Sequence, residues 1–225
     1  DPVDEVIYMG VYDPAWGVEA GRRYLVHRGI SQSTAEKLEL RYDYEKQRVL
    51  FPVRDRKGVL YGFSGRSLRD DAYVKVKDYA GFKKKHFILG EHFWVKNKAL
   101  IIVEGLFAYA HLHEIGASEK YNIGALLGAT MTQQKADRIK ILDEKTYLLL
   151  DNDAAGDLGI YGTKDCITKT NGAGDYLQGY VPLYVPLWVS WEEGEKAGQD
   201  KTDPDDLTYD ELEFMLSVSE RYTPK

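Results

Sequence analysis

A chain of 225 residues, 44% hydrophobic and 29% charged, is long enough to bury a sizeable core and to divide into subdomains. The net charge of −6 argues at first against a nucleic-acid partner, and no apolar run is long enough to span a bilayer. The single cysteine, Cys166, excludes an internal disulfide and a cysteine-only zinc site, while the acidic start Asp1–Pro2–Val3–Asp4–Glu5 is no signal peptide. A cytoplasmic protein is expected, and a first residue other than Met is read as the start of a processed or excised chain.

Residues 1–47 begin loosely and then read as helical. Glu19 to Arg28 forms one helix, ending at Gly29 as a C′ glycine, and Ser31 to Leu38 opens a second with capping hydroxyls. Arg48 to Arg54, the turn Asp55–Gly58 and Val59 to Ser64 read as a β-hairpin, whose return strand ends in Gly65–Arg66. Gly62, Ser64 and Gly65 are small enough to let a backbone or a phosphate approach, with Arg66 as the charged contact; a strand kink beside a solvated arginine fits the same residues. Residues 75–85 interleave Lys75, Lys77, Lys83, Lys84 and Lys85 with Tyr79 and Phe82, close to Tyr73. Such a run offers phosphate contacts and stacking faces to single-stranded bases, or simply a solvated surface. The average charge therefore conceals a basic segment, Arg41–Lys98, followed by an acidic remainder.

From Lys98 strands and helices alternate. The spacing predicts strand 100–103, a helix over Leu106–Ala117, strand 122–127, a helix from Thr132 to Leu142, strand 146–150, a helix after Gly156 and a fourth strand, Tyr184–Val189. Strand–helix repetition with short links means a parallel sheet covered on both faces. His111 and His113 lack the spacing of a metal-ligating pair and read as surface residues, and Gly172–Asp175 reads as a loop.

Two of the strands end abruptly in carboxylates: Leu100–Val103 in Glu104–Gly105, and Leu148–Leu150 in Asp151–Asn152–Asp153. Open α/β sheets place ligands at the C-terminal ends of their strands, and Asp151 and Asp153, two apart in an extended segment, point the same way. Hard oxygen donors of this kind suit Mg²⁺ or Mn²⁺; taken singly, each stretch also fits a turn or a helix cap. A third acidic stretch, Asp200–Asp206, follows the fourth strand, with Asp203 as an N-cap and Pro204 in the first turn. An amphipathic helix, Leu207–Val218, comes after it.

These motifs in this order resemble the catalytic core of DnaG-type primases, built on a Toprim domain, and phage primases of that family in particular. The likeness is carried by Tyr24–Leu25 with Arg28–Gly29–Ile30, by the hairpin from Arg48 to Arg66, by Val103–Glu104–Gly105, by Asn122–Thr130 followed by Gln133–Gln134, by Asp151–Gly156, and by Asp203–Pro204–Asp205. The family's Lys-Tyr-x-Asn stretch is here Lys77–Asp78–Tyr79–Ala80, without the asparagine.

The resemblance implies an α/β fold in which a Toprim parallel sheet, flanked by helices on both faces, follows a smaller mixed α+β basic subdomain and precedes a short C-terminal helical segment, with boundaries at 1–97, 98–190 and 191–225. It implies a DNA-directed RNA polymerase that makes short primers on single-stranded DNA from ribonucleoside triphosphates. A Toprim-family metal-dependent nuclease is the alternative. The implied metal ligands are Glu104, Asp151, Asp153, Asp203 and Asp205, holding two or more Mg²⁺ or Mn²⁺ ions, with Glu104, Asp151 and Asp153 catalytic. Arg48, Arg54, Arg66, Lys75, Lys77, Lys83, Lys84 and Lys85 are expected to hold nucleic acid or nucleotide. A replicative helicase and a zinc-binding domain absent from this sequence are the implied partners, with no membrane, in a bacterial cell or a phage-infected host.

Overall fold

A β-hairpin in the first half and alternation of strands with helices in the second produce two different sheets. The computed structural model describes residues 1–69, 71–79, 81–163, 170–188 and 203–224. The chain divides into two compact units, Asp1–Phe93 and Trp94–Lys225.

The first unit is built on an antiparallel sheet of five strands in sequence order: β1 (Asp13–Pro14), β2 (Arg41–Asp43), β3 (Arg48–Arg54), β4 (Leu60–Ser67) and β5 (Val76–Asp78). The hairpin turn forms because the Asp55 carboxylate accepts from the backbone N–H of Lys57 (2.9 Å) and Val59 (3.0 Å), while Gly58 takes a positive φ of 83°. Pro52 is tolerated within β3 because β2 pairs only as far as Leu50. Helices α1 (Glu5–Val11), α2 (Glu19–His27) and α3 (Gln32–Lys37) precede and flank these strands in the chain. Ser31 caps α3 and Gly29, at φ 69°, ends α2, as the sequence predicts. The first residues are less loose than expected, since Asp4 accepts from the Ile7 N–H (3.1 Å) and starts α1. Beside it, Val3, Tyr8, Met9 and Tyr12 cover a core of Leu50, Leu60, Phe63 and Tyr79.

Two arginines expected to face nucleic acid are engaged inside this unit instead. The buried Arg48 guanidinium donates to the carbonyls of Gly65 (3.1 Å), Lys75 (2.9 Å) and Val74 (2.5 Å), tying β3 to the segment that enters β5. Arg54, also buried, donates to Glu39 (3.0 Å), Glu5 (2.6 Å) and the Gly58 carbonyl (2.8 Å). Sequence conceals this because the partners, apart from Gly58, stand 15 to 49 residues away. Glu5 and Glu39 remain partly solvated, so the cost of Arg54→Ala is expected at the low end for a broken buried pair. A loss of about 2–3 kcal/mol, read from the urea midpoint, is the predicted result.

The second unit carries a sheet in the order β10-β9-β8-β6-β7, formed by β6 (Leu100–Val103), β7 (Asn122–Ala125), β8 (Thr146–Leu148), β9 (Leu183–Val185) and β10 (Glu220–Arg221). β7, β6, β8 and β9 are parallel; β10 pairs antiparallel with β9. Ile101, Ile102 and Val103 are fully buried, as continuous apolar runs demand of strands covered on both faces. The connecting helices are α4 (Leu106–Glu114), α5 (Gln133–Leu142), α6 (Ala154–Tyr161) and α7 (Ala173–Leu177), with α8 (Tyr209–Ser217) near the end.

Several elements differ from expectation. β7 stops at Ala125 because the buried Leu127 takes the left-handed conformation (φ 59°), and β8 is only three residues long. Gly172–Asp175 is not a loop: Asp175 accepts from the Gly172 N–H (3.1 Å) and opens α7. The fourth strand covers Leu183–Val185, with Val189 outside the described residues, as are Cys166 and Asp200–Thr202. Among the described residues no helix is long and apolar enough to cross a membrane.

Candidate active site

The chain runs from β6 through α4 to β7 on one side, then returns through α5 to β8 on the other. The C-terminal ends of β6 and β8 therefore flank a topological switch point, where open α/β sheets bind ligands. Glu104 directly follows β6, and Asp151 follows β8 by three residues.

Asp153 is held by the helix that it starts. Its Oδ1 accepts from the backbone N–H of Ala155 and Gly156, both at 2.9 Å, and so caps α6. The glycine allows this tight joint, because a Cβ at position 156 would lie 2.0 Å from the Asp151 carbonyl oxygen. Asp203 reaches the same strand end, where its Oδ1 accepts from the Asn152 N–H at 3.4 Å. Pro204–Asp206 follows as a single 3-10 turn with Asp206 accepting from the Asp203 N–H (3.1 Å). The three acidic stretches of the sequence thus come together, apart from Asp200, which lies outside the described residues.

The electrostatics follow from that assembly. Burial pushes the Glu104 carboxyl up to about 7, and the negative charges of Asp151, Asp153 and Asp203 push it in the same direction. Glu104 Oε2 is buried with no hydrogen-bond partner among the described residues, an arrangement that a cation would relieve. Carboxylate oxygens and an orphaned buried acceptor fit a hard divalent ion by donor chemistry. Their spacing is looser than a closed ligand set: among the described residues no three His, Cys, Asp or Glu side chains form a metal-holding group. The two observations agree physically, since charges influence one another over longer distances than coordination bonds reach. On the side away from β6, a cavity of about 260 Å³ adjoins the acids, walled by Asp157, Tyr161, Pro186 and Trp188.

In the basic segment Lys75, Lys77, Lys83, Lys84 and Lys85 are exposed and Arg66 is half-buried. Register separates them. Arg66 pairs with Val76, whereas Lys77 pairs with Gly65, so alternation turns Arg66 and Lys77 to opposite faces of their sheet. The aromatic residues of this run are not stacking platforms. Tyr79 is buried and donates its hydroxyl to Asp43 (2.7 Å), and Phe82 packs edge-on against Phe87; Tyr73 alone of the three is fully exposed. Gly65 is small because Leu50 and Tyr79 crowd it, each 2.7 Å from where a Cβ would stand.

In the second unit, sequence reasoning missed Lys135 and misread two histidines. The buried Lys135 donates to the Leu126 carbonyl and to that of Thr130 (3.1 Å), holding the turn after β7, whose Gly128 N–H reaches the Glu104 carbonyl (3.1 Å). The histidines of α4 are not surface residues: His113 is buried edge-on against Tyr109, and His111 Nε2 lies 2.6 Å from the Leu207 carbonyl. Only the strongly apolar character of α4 hinted at this.

The second unit is thus an α/β unit with carboxylates at the ends of its adjacent central strands, joined by a third acidic segment. Residues 32–93, all within the first unit, match the family described as DNA primase catalytic core, N-terminal domain. The whole chain has the fold of the DnaG catalytic core. It superposes on the Aquifex aeolicus primase comprising zinc-binding and RNA polymerase domains with a TM-score of 0.73 at 22% identity, covering 96% of this chain and 60% of that one. It superposes on a DnaG primase catalytic domain bound to single-stranded DNA with a TM-score of 0.69 at 18% identity, covering 95% and 76%. The DNA primase of Clostridium acetobutylicum is 38% identical over 120 residues, 51% of this chain but only 20% of that protein. The chain thus matches about a fifth of the length of that curated relative.

Proposed function

We propose that this chain is the polymerising core of a DNA primase, joining ribonucleoside triphosphates into short primers along a single-stranded DNA template. The observation that carries the reading is the gathering of Glu104, Asp151, Asp153 and Asp203 at the ends of β6 and β8, where burial first, and the charges of the three aspartates with it, push Glu104 up to about 7. The similarity to proteins named DNA primase, and to a DnaG catalytic domain bound to single-stranded DNA, supports the same reading.

Glu104, Asp151, Asp153, Asp203 and Asp205 would hold two or more divalent cations, Mg²⁺ or Mn²⁺. Bound there, such ions lower the pKa of an attacking 3′-hydroxyl and offset charge developing at phosphorus. The chain's own contribution is placement. Asp153 is oriented by the N-terminus of α6, Asp203 is tethered at Asn152, and Glu104, ionising near neutral pH, can accept and return a proton. Lys75, Lys77, Lys83, Lys84, Lys85 and Arg66 would hold template or nucleotide phosphates, with Arg48 and Arg54 supporting the sheet beneath them. A zinc-binding domain and a replicative helicase are the expected partners for template recognition and fork coupling.

The test is primer synthesis on single-stranded DNA with labelled nucleoside triphosphates and Mg²⁺ or Mn²⁺. Short products from the wild type, reduced at least about 100-fold in Asp151→Ala, are the expected result. Cleavage of the template in an Asp151-dependent manner would instead establish the nuclease alternative.

A further inference from the structure

We propose that His111 is a positioning residue: its ring fastens the third acidic segment to α4 and so keeps Asp203 beside Glu104. The inference rests on reading the acids as a divalent-cation site. A carbonyl oxygen can only accept, so the 2.6 Å contact to Leu207 requires that His111 Nε2 carry the hydrogen. α4 begins at Leu106, two residues after Glu104, and is therefore rigidly coupled to that carboxylate. Leu207 directly follows the turn Pro204–Asp206 and the capping residue Asp203. One short bond, across 96 residues of sequence, thus ties the helix that follows Glu104 to the segment carrying Asp203 and Asp205.

Magnitudes favour this contact over its alternatives. The tether at the other end of the segment, from the Asn152 N–H to Asp203, is 3.4 Å long and near the limit of a useful hydrogen bond. The Leu207 side chain is buried, which holds the segment down, but apolar burial is non-directional and does not fix its position along α4. Further on, Lys120 pairs with Glu213 and anchors α8. Losing the histidine would therefore leave the segment in place but free to shift. His111 itself is aimed at a backbone carbonyl, and its neighbour His113 packs on Tyr109, so the two do not form a ligand pair.

The experiment measures Mn²⁺ affinity by electron paramagnetic resonance for the wild type, His111→Phe and His111→Gln, alongside urea midpoints in EDTA. His111→Phe is expected to weaken Mn²⁺ binding about tenfold, the scale of lost supporting contacts at metal sites, without a matching fall in the metal-free midpoint. His111→Gln, whose amide can still donate, is expected to recover most of the affinity. Unchanged affinity in His111→Phe, equal weakening in both variants, or a loss that tracks the urea midpoint would overturn the proposal. A wild type that binds no Mn²⁺ would overturn it together with the cation-site reading. A wild type that binds Mn²⁺ in a His111-dependent way yet makes no primers would remove the primase reading and leave the role of His111 standing.

Discussion

Gly156→Ala is expected to lose about 1–3 kcal/mol of stability and at least about 100-fold in primer synthesis. The added Cβ would stand 2.0 Å from the Asp151 carbonyl oxygen and 3.0 Å from its carbon. These are backbone atoms at the end of a buried strand, so they cannot swing aside as a flexible side chain would. Relief requires the joint between β8 and α6 to open, which withdraws the Ala155 and Gly156 N–H groups from Asp153. Losing such a cap costs about 1 kcal/mol, and overpacking costs about 1–3 more, against a gain of about 1 from alanine's helix propensity. Urea denaturation reads the first effect and primer synthesis the second. Gly105→Ala is the control: a Cβ there meets nothing within 4 Å, and its φ of −109° suits any residue. A Gly156→Ala variant with the wild-type midpoint would show that the joint is not closed as described.

The second large effect is electrostatic and has a definite sign. Glu104 is raised from an ordinary 4.5 to about 7, so the folded state disfavours its ionised form. Below about pH 4.5 the carboxyl is protonated whether folded or unfolded, and its stabilising contribution is fully present. As the pH rises from 4.5 to 7 the unfolded chain releases the proton more readily, and that contribution is lost. With allowance for partial solvent exposure the loss amounts to about 2 kcal/mol. Metal-free Glu104→Gln should therefore be more stable than the wild type at pH 8 by about that amount, with the advantage fading toward pH 5. Urea titrations in EDTA across this range decide it. A constant difference at all pH values would mean that Glu104 ionises normally and that the acids do not crowd it.

How much of this was legible in the sequence depended on how local the cause was. Glu104, Asp151 and Asp153 stood out because an apolar run ending in carboxylates is a pattern of a few residues, and sheet topology then brings their strand ends together. The hairpin from Arg48 was legible for the same reason, its turn being made by Asp55 and Gly58 alone. Arg48 and Arg54 were misread because burial by distant partners leaves no mark on their neighbours. Tyr79 and Phe82 were misread because interleaving with lysines looks the same whether the rings face water or a core. His111 illustrates the limit most clearly, since its partner is a backbone carbonyl and a main-chain acceptor carries no residue-specific signature.

β10, only two residues long, has a consequence for solubility. It occupies the outer edge of β9, which would otherwise offer unpaired N–H and C=O groups to any neighbouring chain. Tyr222, immediately after it, stacks on Tyr161 and lies against Gly174, so the same segment also seals a seam between α6 and α7. A chain shortened to end before Glu220 would keep every acidic residue of the site yet present an open strand edge, and edge-to-edge aggregation would then compete with folding. Shortened versions intended for biochemistry are therefore better trimmed elsewhere than between Glu220 and Tyr222.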